Sequence, residues 1–142
     1  MLRSVLAVVA GFLVPAVLVT LTDQLMAVLV PDLYPQPAPG VQIPPAGLAL
    51  NVTYGFVYAI LGGWVTARLA PRLPMKHVYA LCAAIAVFGL VSALMLAGML
   101  PLWYSLALVA LGILGAVLGG RLFVRRTTQA EATTPGLSER NG

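Results

Sequence analysis

The chain has 142 residues, of which 61% are hydrophobic and only 8% charged, with a net charge of +4 and a mean hydropathy of +0.98. A soluble domain carries about 25% charged residues, so too few are present here to cover a globule, and lipid is the expected solvent for much of the surface. The positive balance does not indicate nucleic acid, because no basic stripe with interleaved aromatics exists; it suits anionic lipid headgroups, worth about 1 kcal/mol per basic residue near the surface.

The first apolar run predicts a helix from about Ser4 to Val30. Met1, Leu2 and Arg3 before such a run resemble a signal peptide, but the run is long and no Ala-x-Ala site closes it, so it is expected to stay as a helix. Crossing the hydrocarbon core takes about 20 residues. Asp23 lies about 28 Å from Ser4 at the usual helical rise, which puts it near the far boundary, with Gln24 beside it and Thr20 one turn below. Pro15 removes a backbone donor and is expected to kink the helix.

Residues 31–46 contain six prolines, so extended, polyproline-like structure is expected there rather than a regular helix. The segment reads as a stiff connector, with a docking surface for a partner as the alternative. A second helix follows, from about Gly47 to Leu69, ended by Pro71 and Pro74. A third runs from about His77 to Gly98, opened by Lys76. Residues 99–101 form a tight turn into a fourth, from about Leu102 to Val124. The polar tail, 127–142, lacks the apolar surface to fold alone and is expected to be disordered. The chain therefore divides into a membrane domain, 1–126, and a tail. Trp103 and Tyr104 are expected at one interface, Trp64 and Tyr79 near the other.

The eight Lys and Arg residues fall into three segments. Arg3 precedes the first run; Arg68, Arg72 and Lys76 lie between the second and third; Arg121, Arg125, Arg126 and Arg140 follow the fourth. The other two connections have none. Positive charge marks the cytoplasmic side, so the pattern predicts an all-α integral membrane protein, a bundle of four transmembrane helices with both termini inside. Short length and compact loops favour a bacterial plasma (inner) membrane. A weak repeat adds detail: Ala59, Ile60, Leu61, Gly62 and Gly63 before Arg68 match Ala116, Val117, Leu118, Gly119 and Gly120 before Arg125, an offset of 57 residues (116 − 59). Two parallel helical hairpins, a 2+2 repeat, would produce it; so would the frequent pairing of small residues with Arg at inner helix ends.

Small residues are the clearest local signal. Gly112, Gly115, Ala116, Gly119 and Gly120 lie on the fourth helix; Gly55, Ala59, Gly63 and Ala67 recur every four residues on the second; Gly89, Ala93 and Ala97 lie on the third. Such strips let backbones approach closely, which drives packing in lipid. They serve either packing within one chain or a homo-oligomer built on the fourth helix.

Polar residues within the runs are few. Asn51, Tyr54 and Tyr58 share a face of the second helix. Asn51 lies about 6 Å into that helix, a depth similar to that of Asp23, so Asp23, Asn51 and Tyr54 form a candidate intramembrane polar cluster. An ionisable group at membrane depth is a functional candidate by default. The readings open to it are a proton or cation site, a hydrogen-bond clamp, or a carboxylate wetted by headgroups. His77, the only histidine, reads as a solvated residue with no other ligand to complete a metal set. Cys82, the only cysteine, excludes an intrachain disulfide and reads as a small core residue. Asn51-Val52-Thr53 is a glycosylation sequon in form only, because it lies inside an apolar run.

No phosphate-cradling loop, zinc-protease helix or serine nucleophile elbow is present, and no pair of carboxylates or histidines lies at membrane depth. No catalysis, metal or cofactor is expected. In size and helix count the chain is similar to small four-helix drug exporters. Those carry a Glu deep in their first helix, and here that helix has no acidic residue before Asp23, so no motif supports proton-coupled export. The expected function is that of an accessory or assembly subunit of a membrane complex. The alternative is a small oligomeric transporter or channel using the Asp23 and Asn51 region; a membrane anchor whose tail recruits a cytoplasmic protein is a third. The expected partners are the bilayer and either a second copy or a complex subunit.

Overall fold

A computed structural model describes residues 2–35, 42–96 and 99–133. They form four helices and no extended sheet: α1 (Leu2–Leu29), α2 (Pro45–Leu69), α3 (Pro74–Met95) and α4 (Leu102–Thr133). All four are long and apolar enough to cross a membrane. The shortest, α3, has 22 residues and measures about 33 Å at the usual rise per residue, against a hydrocarbon core of about 30 Å.

The helix ends differ from the sequence reading in instructive ways. α2 begins at Pro45 and α3 at Pro74, two to three residues earlier than expected. Proline breaks a helix interior but suits its first turn, where its missing N–H has no partner to lose. Leu73, which precedes α3, has φ 50 and turns the chain between the two helices; its carbonyl accepts the Lys76 amide at 3.0 Å. The connector after α1 opens as a turn rather than as extended chain, with the Leu33 and Tyr34 amides on the Val30 carbonyl at 3.0 and 3.1 Å. Residues 36–41, the middle of the proline-rich segment, lie outside the described residues, as do Ala97 and Gly98.

α4 continues to Thr133 instead of ending near Val124, so disorder is not what residues 127–133 adopt. Extending an existing helix needs no new nucleus, and the Gln, Glu and Ala in this stretch favour it. The Thr127 and Thr128 hydroxyls bond back to the Val124 carbonyl at 2.8 and 3.1 Å. Residues 134–142 lie outside the described part.

α2 and α4 form the central pair. α1 packs on α2, α3 packs on α4, and α1 does not reach α4. The small-residue strips produce this arrangement. A Cβ added at Gly63 would run into the Ala116 carbonyl, and one at Gly119 would run into the Ile60 carbonyl and lie 2.8 Å from the Trp64 nitrogen. At Gly115 it would lie 2.8 Å from the Ala59 Cβ. The helices are thus in backbone contact along this seam, where dispersion and close approach replace the hydrophobic effect. Gly115 and Gly119 pack against α2 of the same chain, as the first of the two readings of these strips has it. A Cβ added at Gly112 would lie 3.2 Å from the Ile85 side chain of α3, and one at Gly55 would meet only the Leu108 side chain, at 3.8 Å. α1 crosses α2 at Gly62, where an added Cβ would lie 2.9 Å from the Pro15 ring.

The two repeated motifs do not play equivalent parts. Gly62 and Gly63 face α1 and α4, whereas their counterparts Gly119 and Gly120 face α2 and Val78 of α3. Cys82 belongs to the small core formed with Ala67, Val78, Leu81 and Ala116. Beyond such seams the helices present large apolar side chains outward, among them Leu13, Val17 and Leu21 of α1 and Val87, Val91 and Leu94 of α3.

Candidate polar site at the Asp23 end of the bundle

The C-terminal end of α1, the N-terminal end of α2 and the N-terminal end of α4 lie at one end of the bundle, joined by side-chain bonds between Asp23, Asn51 and Tyr104. Asp23, Asn51 and Tyr104 lie within two turns of those ends and meet there. Asn51 is the hub. Its Nδ2 donates to Asp23 Oδ1 at 2.9 Å and to the Tyr54 hydroxyl at 2.9 Å. Its Oδ1 accepts from the Tyr104 hydroxyl at 2.8 Å. The Tyr54 hydroxyl donates to Asp23 Oδ1. One amide thereby ties α1, α2 and α4 together, and it is only 8% exposed.

Tyr34 extends the network into the connector. Its hydroxyl donates to the Gly47 carbonyl at 2.8 Å and lies 3.2 Å from that of Tyr54. Gly47 is required here, because a Cβ would run into the Leu33 carbonyl of the turn. Burial pushes the Tyr34 phenol above its ordinary value; the contact with the Tyr54 hydroxyl opposes this and the Asp23 charge adds to it. The phenol therefore stays a neutral donor at physiological pH. Stability from a raised acid group is complete below the unfolded value and is lost as pH rises past it, so this contact fails only under alkaline conditions, above the ordinary value of 10.0. Tyr34→Phe is expected to cost about 0.5–1.5 kcal/mol, the net worth of one hydrogen bond, because the Gly47 carbonyl keeps its partner within α2. The expected readout is a lower unfolding temperature together with faster proteolysis between residues 31 and 44.

A separate tie joins α1 to α2 through the Thr22 and Tyr58 hydroxyls, 2.9 Å apart. Thr20 is not part of the cluster; its hydroxyl bonds the Ala16 carbonyl within α1 at 2.9 Å. The sequence reading missed Tyr34, Thr22 and Tyr104. Tyr104 was expected at an interface beside Trp103. Adjacent helical positions point about 100° apart, and the two rings separate: Trp103 is 49% exposed and Tyr104 only 9%.

Above Asp23 lies a cavity of about 210 Å³, lined by Asp23, Gln24, Ala27, Tyr34, Asn51 and Tyr104 among others. It does not continue as a polar path. The next cleft along α1, about 380 Å³, is lined by Phe12, Pro15, Val19, Leu81 and Ile85, with Thr20 as its one polar side chain. Among the described residues no three His, Cys, Asp or Glu side chains converge as metal ligands. His77 is exposed, with Nδ1 3.4 Å from the Leu73 carbonyl. The basic residues lie toward the opposite end of the bundle, where the Arg68 guanidinium sits 5.1 Å from the centroid of the Trp64 ring.

No known protein family, curated protein or solved structure matches this chain.

Proposed function

We propose that the chain is a four-span protein of a bacterial plasma membrane, with both termini cytoplasmic, acting without catalysis as an accessory or assembly subunit of a membrane complex. The threading is supported by the confinement of Lys and Arg to the N-terminus, the α2–α3 connection with its flanking turns, and the C-terminal end of α4 with the tail. The role is carried by one observation: the polar side chains that meet at the Asp23 end bond chiefly to one another, as a clamp between helices. Asn51 uses both amide hydrogens and its carbonyl within the chain, and the next cleft inward is apolar except for Thr20. A transport path needs polar groups along its length. What the bundle offers instead is apolar helix surface, above all on α1, which leaves α4 untouched. A rigid outer end and broad apolar flanks suit a protein that works by side-by-side association.

The second reading, a small oligomeric transporter or channel, draws support from the cavity beside Asp23. Purification of the tagged protein in mild detergent, with mass spectrometry of the intact assembly, separates the two. The accessory role predicts a stoichiometric partner of different sequence. Recovery alone, as a defined homo-oligomer, contradicts it and favours the second reading.

A further inference from the structure

We propose that the cavity over Asp23 binds a small primary ammonium cation, of the size of an ethanolamine headgroup, held by the Asp23 carboxylate and the acceptor oxygens around it. Both amide hydrogens of Asn51 are donated, to Asp23 and Tyr54. The hydroxyl hydrogens of Tyr54, Tyr34 and Tyr104 go to Asp23, the Gly47 carbonyl and Asn51 Oδ1. The donors of the network itself are spent, and what it has left is acceptor capacity; Gln24, also on the cavity wall, adds an amide with both donors and an acceptor. Both hydrogen bonds reaching Asp23 end on Oδ1, which leaves Oδ2. The tyrosine oxygens and Asn51 Oδ1 keep lone pairs as well. A ligand that completes this set must bring N–H or O–H groups, and a primary ammonium brings three.

Charge points the same way. Asp23 is half-buried, and neither residues 30–46 nor residues 96–102 contain a Lys or Arg. A partly buried carboxylate is stabilised by a cationic partner, and the sequence places no Lys or Arg at that end. One carboxylate is a poor site for a divalent metal, since calcium takes about 6–8 oxygen ligands, several of them charged. The Tyr34 and Tyr104 rings at the cavity wall are surfaces an ammonium tolerates. A volume of about 210 Å³ is below the roughly 300–1,000 Å³ of drug-sized pockets, which limits the guest to a few heavy atoms. In the threading proposed above the cavity opens at headgroup level, so the ammonium comes either from a lipid headgroup or from a free amine.

The test uses the full chain purified in a maltoside detergent, titrated calorimetrically with ethanolamine hydrochloride against sodium chloride and tetramethylammonium chloride at equal ionic strength. This readout is independent of the threading and of any partner. Saturable ethanolamine binding is expected, weakened at least tenfold by Asp23→Asn and unchanged by Asp32→Asn, since Asp32 is exposed on the turn. Ala27→Phe, which fills the cavity from α1 without removing a member of the network, is expected to abolish binding and serves if Asp23→Asn does not fold. Native mass spectrometry from nanodiscs then identifies the source. Phosphatidylethanolamine retained in preference to phosphatidylglycerol by the wild type but not by Asp23→Asn assigns the headgroup; binding of ethanolamine without such retention assigns a free amine. Absence of saturable binding in both settings overturns the proposal, as does equal binding of sodium or tetramethylammonium, or wild-type affinity in Ala27→Phe.

Discussion

Gly119→Ala is expected to destabilise the bundle severely, whereas Gly55→Ala on the facing helix is expected to be neutral or slightly stabilising. Both substitutions add one methyl group to a helix. At position 119 that group meets main chain, the Ile60 carbonyl and the Trp64 nitrogen, which moves only if the whole of α2 moves. At position 55 it meets only the Leu108 side chain at ordinary contact distance, 3.8 Å. Overpacking a tight core costs about 1–3 kcal/mol and more when backbone is the obstacle; a helical Gly→Ala in open space returns about 0.5–1 kcal/mol. Gly119→Leu should abolish recovery of folded protein altogether. Unfolding curves in detergent for the two alanine variants decide the matter. Equal midpoints would mean that the α2–α4 seam does not hold the fold.

The second large effect belongs to Asn51. Asn51→Leu removes the shared partner of Asp23, Tyr54 and Tyr104 at one stroke. Tyr54 and Asp23 keep each other, whereas the buried Tyr104 hydroxyl loses the bond to Asn51; one buried polar group left without its partner costs about 1–3 kcal/mol, which is the loss expected. Asn51→Asp is expected to be at least as harmful, because it replaces the donor on Asp23 with a second carboxylate in direct contact. The network also predicts non-additivity. Tyr104→Phe should cost measurably less in the Asn51→Leu background than in the wild type, with a coupling of about 0.5–3 kcal/mol. An additive double-mutant cycle would contradict the hub assignment.

How far the sequence could be read follows from which interactions are local. The four helices are legible because each is an apolar run of bilayer length, a property of one segment alone. Their ends were misplaced at Pro45 and Pro74, where a residue that breaks a helix also starts one. The end of α4 was misplaced because a polar composition does not stop a helix already under way. Asp23, Asn51 and Tyr54 could be brought together from depth and helical spacing. Tyr104, 53 residues from Asn51, could not, since no periodicity links positions on helices whose mutual rotation is set by packing. Tyr34 stood in a proline-rich stretch that hid its role as a plug on Gly47. The glycine strips announced close packing, but the same spacing serves lipid, a second copy or the chain itself. Only the positions of Ala59, Ile60 and Ala116 in the fold assign Gly115, Gly119 and Gly63 to the α2–α4 seam.

The account rests most heavily on the threading that turns the Asp23 network outward and the basic end inward. Cysteine labelling in a Cys82→Ala background measures it, with Asp32→Cys on the turn after α1 and Thr127→Cys near the end of α4, both exposed. In intact cells a membrane-impermeant maleimide is predicted to label Asp32→Cys at once and Thr127→Cys only after permeabilisation. Labelling of Thr127→Cys from outside, or of both positions from the same side, would contradict the threading and with it the proposed place of the ammonium site.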